Sequence, residues 1–177
     1  MQFALQSPWE LNLTGVNESA RYDYVVGLGS NINPDENIPE AVRMLTQKTR
    51  VIATSQVWQN PAVGSQGPDY LNAAVRVLSK EKPAVFKEKI LHALENKLGR
   101  VRSGDKYADR PIDMDILICN AQGFDPGLWT QPHVTIPAAE VAPPLEHPDS
   151  GETLQEAAQR LLPAWEFTLR EDLNLAV

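Results

Sequence analysis

Strand-like and helix-like stretches alternate along this chain in an order that predicts an α+β fold. Apolar residues recur with helical spacing at Ile38, Ala41, Val42 and Leu45, and again at Val85, Phe86, Ile90, Leu94 and Leu98. Over 23–29, 50–58, 70–78 and 112–119 they instead run together or keep the period of two of a strand. The resulting order is strand, helix, strand, strand, helix, strand. It predicts a ferredoxin-like α/β sandwich, with a mainly antiparallel sheet and helices packed on one face of it. A chain of 177 residues also suits one domain, able to bury about 70% of the surface its unfolded form exposes, with no need of disulfide or metal staples.

Taken in order, residues 1–22 read as an extension. Trp9, Leu11 and Leu13 alternate as a short edge strand would, while Pro8 and Asn17-Glu18-Ser19 break the pattern, and no chemistry is assigned there. The domain proper spans 23–163. Tyr24, Val25, Val26 and Leu28 form its first strand, ended by Gly29-Ser30-Asn31. Gly27-Leu28-Gly29 is not a dinucleotide fingerprint, because the third glycine and the helix start are missing. A helix follows over 34–47, with Pro39 in its first turns. A strand over 50–58 and one over 70–78 come next, the latter with Tyr70, Ala73, Val75 and Val77 inward. The turn-rich connection 59–69 between them is long enough to carry function. Pro83 opens a second helix, closed by Gly99. Near the end, Leu154, Ala157, Ala158, Leu161 and Leu162 mark a short helix, and Trp165, Phe167 and Leu169 alternate, so 164–177 reads as a tail or edge strand.

The formal net charge of −7 argues against nucleic acid as a partner. No apolar run reaches 18 residues and no signal peptide is visible, which predicts a cytoplasmic protein without membrane contact; nothing demands more than a monomer. The single cysteine, Cys119, ends an apolar strand and reads as a buried, inert thiol.

The most distinctive stretch runs from Gly99 to Cys119. In its strand, Ile112, Met114, Ile116 and Ile118 share one face and Asp113 and Asp115 the other. Residues two apart on a strand lie roughly 6.6 to 6.8 Å from one another, and paired magnesium ions about 3.5 to 4 Å apart fit between two such carboxylates. Just upstream stand Arg100, Arg102, Lys106 and Arg110, four of the chain's 16 Lys and Arg residues, in a glycine- and proline-bearing loop. Either half alone is also what a solvated sheet face or surface loop displays. Their combination in an acidic chain points to metal plus polyphosphate, since Arg donates two parallel hydrogen bonds to phosphate and Lys adds a point charge. On the strand over 70–78, Tyr70 and Asn72 share a face. They read equally as ordinary strand residues or as a grip on a flat heterocycle, by stacking and by edge hydrogen bonds. Glu95 lies off the helix stripe near the basic loop, either solvated or facing a ligand.

Several spaced blocks carry a family resemblance. They are Gly29-Ser30-Asn31, Asn60-Pro61, Pro68-Asp69-Tyr70-Leu71-Asn72-Ala73-Ala74, Glu95 to Arg102, Arg110-Pro111-Ile112-Asp113-Met114-Asp115-Ile116, Pro132-His133, Pro137 to Pro143 and His147-Pro148. In this order the chain resembles hydroxymethyldihydropterin pyrophosphokinase of folate biosynthesis, from about Tyr24 to Leu162. The resemblance implies Mg-dependent transfer of pyrophosphate from ATP to the 6-hydroxymethyl oxygen of the dihydropterin, releasing AMP. It implies two Mg2+ ions on Asp113 and Asp115, with Asp113 also an acceptor of the hydroxyl proton, and Arg100 and Arg110 as catalytic cations. It puts Glu95, Arg102, Lys106, Arg110, Thr130 and His133 on the ATP side, and Gly29, Asn60, Pro61, Val63, Tyr70 and Asn72 around the pterin.

The chain also departs from the family pattern. Only Val134-Thr135-Ile136 separates His133 from Pro137, where the family has a longer stretch that supplies an arginine to the phosphates and an aromatic ring to the pterin. His92, Asn60 and Val134 stand where the family usually has a glutamine, a threonine and a larger residue. A second reading follows, a pterin- and nucleotide-binding pseudoenzyme of the same fold.

Overall fold

In a computed structural model of the chain, residues 22–62, 67–101 and 108–175 are described. The expectations for residues 1–21 lie outside them. The described strands are β1 (Tyr22–Ser30), β2 (Arg50–Thr54), β3 (Trp58–Asn60), β4 (Tyr70–Ser79), β5 (Asp113–Cys119), β6 (Gln122–Gly123) and β7 (Thr168–Leu169). They form one sheet in the order β6-β5-β1-β4-β3-β7, with β2 on the same edge of β4 as β3, and every pairing is antiparallel. The helices are α1 (Pro34–Thr46), α2, α3 (Pro132–Val141) and α4 (Leu154–Leu161). In α2 a turn at Pro83–Val85 and a helical end at His92–Lys97 flank a π-helical stretch, Phe86–Leu91. The α+β sandwich with a mainly antiparallel sheet is what the element order predicts.

The helices lie on both faces, not one. On the first face Tyr24, Val26 and Leu28 of β1, Ala73, Val75 and Val77 of β4, and Met114 and Ile116 of β5 pack with Ile38, Ala41 and Leu45 of α1 and Phe86, Leu91 and Leu94 of α2. On the second, Val25, Ala74, Leu117 and Ile118 pack with Ala138, Ala139 and Val141 of α3 and Leu154 of α4. The cause is visible in the strands: β4 is buried almost continuously, as a strand covered on both sides must be. α3 escapes period-based detection because nearly all of it is buried, leaving no polar stripe.

Two further expectations change. The strand read over 50–58 breaks at Ser55-Gln56-Val57, where the Ser55 backbone N–H donates to the Ala74 carbonyl and the Ser55 hydroxyl accepts from the Ala74 N–H, both at 2.8 Å. Ile118 leaves the face of Ile112, Met114 and Ile116, because the β1–β5 register steps from Val25↔Ile118 to Val26↔Ile116. The extra residue of this bulge turns the end of β5 over. Cys119 is half-buried, and burial pushes its thiol above the usual range. Among the described residues no helix is long and apolar enough to cross a membrane.

Candidate active site

The second sheet face is covered by α3 and α4 at one end and open at the other, and the opening is a cavity of about 520 Å³. Its floor follows from strand register. Gly29 of β1 sits opposite Asn72 on one side and Asp113 on the other, and one row further in, Gly27 sits opposite Ala74 and Asp115. With strands about 4.8 Å apart, Asn72 and Asp113 stand roughly 9.6 Å from one another across a backbone that bears no side chain between them. A Cβ on Gly29 would meet Asn72 Oδ1 at 3.4 Å, and one on Gly27 would press on the Leu117 side chain at 3.0 Å. The two glycines keep this floor low.

The acidic pair meets three cations. Arg100 Nη1 donates to Asp113 Oδ1 in a very short contact and to Glu95 Oε1 at 2.5 Å, while Arg110 Nη1 donates to Asp113 Oδ2 at 2.6 Å. Lys87, on the π-helical stretch of α2, reaches Asp115 Oδ1 at 3.0 Å. Burial alone would raise the Asp113 carboxyl, but its hydrogen bonds and charge contacts with Arg100 and Arg110 outweigh this and hold it below the usual range. Asp113 is therefore kept ionised while both arginines hold it. Glu95 is only 1% exposed and also accepts the Met114 N–H at 2.9 Å. In this conformation it grips Arg100 and β5 from below rather than lining the cavity.

The loop carrying Arg110 is fixed by the end of β1. The Arg110 backbone N–H donates to Asn31 Oδ1 at 2.8 Å, the Asn31 N–H donates to the Arg110 carbonyl at 3.1 Å, and the Ser30 hydroxyl donates to the Pro111 carbonyl at 2.6 Å. Ser30 and Asn31 are buried, so the turn after β1 acts as a socket for this loop.

Away from the carboxylates, Asn60, Tyr70 and Asn72 line the cavity. Tyr70 faces the same side as Asn72, as their spacing predicts, and does not join Ala73, Val75 and Val77 in the first core, the inward set that the sequence also suggested for it. Burial raises its hydroxyl above the ordinary range, with Arg110 opposing that shift. Asn72 Nδ2 donates to Asn60 Oδ1 at 2.6 Å, which turns Asn72 Oδ1 towards Gly29. Asp125, Thr130, Gln131, Pro132, His133 and Val134 form another wall. Here Pro132-His133 opens α3, and the helix's N-terminal end, favourable to anions, borders the cavity. Burial lowers the His133 imidazole below its usual range, against the pull of Asp125.

Of the residues singled out by sequence, Gly29, Asn60, Tyr70, Asn72, Arg110, Asp113, Asp115, Thr130 and His133 line one cavity, and Arg100 contacts it through Asp113. Pro61 is exposed beyond the end of β3 and does not line it. His92 pairs with Glu88 and is not part of the wall. Val63, Arg102 and Lys106 lie outside the described residues. Sequence reasoning missed Gly27, Lys87, Asp125 and Trp165. For Gly27 the signal was the Gly27-Leu28-Gly29 spacing itself, which puts both glycines on one strand face. Lys87 depends on the π-helical stretch and had no local signal.

The donor set suits Mg2+. Among the described residues no group of three or more His, Cys, Asp or Glu side chains gathers to cage an ion. Two adjacent carboxylates beside arginine and lysine side chains match an ion that keeps its waters and takes its other oxygens from a substrate.

A family model described as 7,8-dihydro-6-hydroxymethylpterin-pyrophosphokinase matches residues 25–143. The chain is 30% identical over 148 residues to the 2-amino-4-hydroxy-6-hydroxymethyldihydropteridine pyrophosphokinase of Synechocystis sp., spanning 77% of this chain and 75% of the relative. It is 31% identical over 137 residues to the Haemophilus influenzae protein of that name, spanning 71% and 84%. It is 34% identical over 151 residues to that of Methylorubrum extorquens, spanning 78% and 93%.

Proposed function

The chain belongs to the 7,8-dihydro-6-hydroxymethylpterin-pyrophosphokinase family, ATP-dependent enzymes of folate biosynthesis, and we propose that it is a working, Mg-dependent member that uses two ions. The observation that carries this reading is the cavity itself, which joins Asp113 and Asp115, with their cations, to Tyr70, Asn60 and Asn72 over a glycine floor. In the reaction the 6-hydroxymethyl oxygen attacks the β-phosphorus of ATP. The bond from that phosphorus to the bridging α–β oxygen breaks, AMP leaves, and the hydroxyl proton is released.

Asp113 and Asp115 would hold the metals, which when bound supply Lewis-acid polarisation and charge neutralisation at the phosphate oxygens. The protein's own contribution is positioning and electrostatics. Arg100 and Arg110 exchange Asp113 for phosphate oxygens, and the Ser30–Asn31 socket limits how far Arg110 moves. Tyr70 stacks on the pterin, and Asn72 Oδ1, oriented by Asn60, accepts from its edge. Thr130 and His133, with Arg102 and Lys106, belong to the nucleotide side, and Gly29 and Val63 to the border of the pterin. His133 is held neutral, so it offers a hydrogen bond rather than a charge. Glu95 serves by anchoring Arg100.

The second reading, a binder with poor turnover, is supported by the short Val134-Thr135-Ile136 segment, now seen inside α3. AMP formation from ATP, Mg2+ and 6-hydroxymethyl-7,8-dihydropterin separates the two. The expected result is AMP from the parent and at least about a 100-fold loss in a folded Asp113→Asn or Asp115→Asn variant. ATP binding without AMP in the parent would establish the binder instead.

A further inference from the structure

We propose that Trp165, from the carboxyl-terminal segment, is a substrate-contacting residue, its indole giving the flat heterocycle a second aromatic surface besides Tyr70. This rests on the pterin reading of the same site. Of the large apolar side chains left exposed among the described residues, Ile32, Val101, Phe124, Leu162 and Trp165, the last alone lines the cavity. It is 44% exposed there, and the chain docks on β3 only from Phe167 onwards.

Thr168 and Leu169 pair with Gln59 and Trp58 of β3, and the Arg170 N–H donates to the Val57 carbonyl at 2.9 Å. The Phe167 ring meets Trp58 edge-on at 6.4 Å. Arg170 pairs with Asp35 of α1 at 2.6 Å, and Leu175 is buried in the first core. β3 ends at Asn60, which holds Asn72, so the strand that anchors the tail also carries part of the pterin-facing wall. A tail anchored on β3 that leaves its largest flat ring uncovered in the cavity Tyr70 also lines is arranged for stacking, since an exposed indole gains its dispersion contacts only when a ring covers it.

The test uses the full chain with Trp165→Ala, Trp165→Leu and Trp165→Phe, the leucine variant keeping apolar bulk without a flat face. Steady-state assays give KM for 6-hydroxymethyl-7,8-dihydropterin and for ATP. Titration calorimetry with 6-hydroxymethylpterin gives affinity without turnover. Stacking predicts about a tenfold loss of pterin affinity for Ala and Leu, with ATP KM within about twofold and Phe within about threefold of the parent. Unchanged pterin affinity in Ala or Leu, or an equal rise in both KM values, overturns the proposal. If the parent forms no AMP, the pyrophosphokinase proposal fails, and calorimetry still decides this one. Weaker pterin binding in Ala and Leu upholds it; equal binding, or none by the parent, overturns it.

Discussion

Glu95 is where stability and catalysis should separate most cleanly. Its carboxylate is 1% exposed and accepts from Arg100 at 2.5 Å and from the Met114 N–H at 2.9 Å. Both bonds converge on Oε1, and Glu95→Ala removes them together. The fully buried Met114 N–H then lacks this acceptor, at about 1 to 3 kcal/mol, and a charge-assisted bond worth about 1.5 to 3 kcal/mol is lost. Arg100 keeps Asp113 and some solvent, so the loss does not reach that of an isolated buried charge. A total near 3 to 5 kcal/mol follows, or a midpoint lowered by roughly 6 to 20 °C in a chain of this size. Glu95→Gln keeps an oxygen for Met114 and gives up only the charge, for about 1 to 2 kcal/mol, yet it loosens Arg100. If Arg100 engages the phosphates as proposed, misplacing it predicts roughly a 10- to 100-fold fall in kcat with the pterin KM little changed. Urea unfolding and AMP release on both variants provide the assay. If Ala and Gln both stayed within about 0.5 kcal/mol of the parent, the buried carboxylate would not be anchoring anything, and the reasoning would fail.

Other expectations follow from the same geometry. Lys87→Ala removes an ion pair whose side chains are 44% and 45% exposed, so unfolding free energy should move by less than about 1 kcal/mol, and a larger loss would mean that the pair is structural. Gly27→Ala drives a methyl into Leu117 and should cost about 1 to 3 kcal/mol, whereas Gly29→Ala meets Asn72 at ordinary contact distance and should spare stability while raising the pterin KM; denaturant melts and kinetics on the two variants compare directly. For pH, the folded carboxyl of Asp113 lies below its usual 3.8, so its stabilisation is complete above that value and is lost as pH falls through the folded value. Unfolding curves of the parent and Asp113→Asn should therefore converge below about pH 4. The depressed His133 has the same sign in a higher window, so stability should fall as pH drops below about 6.5, and less so in His133→Gln.

What the sequence made legible, and what it hid, divides along physical lines. Periodicity read α1, α4 and most of β5 because each sets an apolar face against a more polar one, whereas β1 and β4, covered on both sides, were legible as short apolar runs bounded by turn residues. It could not read α3, whose buried residues leave no polar side, or the bulge that moves Ile118 to the second face. Asp113 and Asp115 were legible because two carboxylates on alternate strand positions must project together. Lys87 was not, since its approach to Asp115 depends on a π-helical stretch in α2 and on the packing of that helix against β5. Gly27-Leu28-Gly29 was rejected as a nucleotide fingerprint, rightly, and its use as a floor appears only when β1 is seen between β4 and β5.

The charges of the site bear on how it fills. Among the described groups in mutual contact, Glu95, Asp113 and Asp115 carry three negative charges, and Lys87, Arg100 and Arg110 carry three positive ones. These six groups are balanced before anything binds. Divalent ions arriving alone would leave it strongly positive while competing with Arg100, Arg110 and Lys87 for the same carboxylates. A tetra-anionic nucleotide arriving alone would draw the arginines away and leave Asp113 facing phosphate. Two divalent ions held by Asp113 and Asp115 together with one such nucleotide would keep these groups balanced and leave the arginines free for phosphate. Calorimetry should accordingly find ATP with Mg2+ binding at least about tenfold more tightly than ATP in a chelator, with the difference removed in Asp113→Asn. Equal ATP affinity with and without Mg2+ in the parent would mean that the cations are not released by the acidic pair and that the exchange described here does not occur.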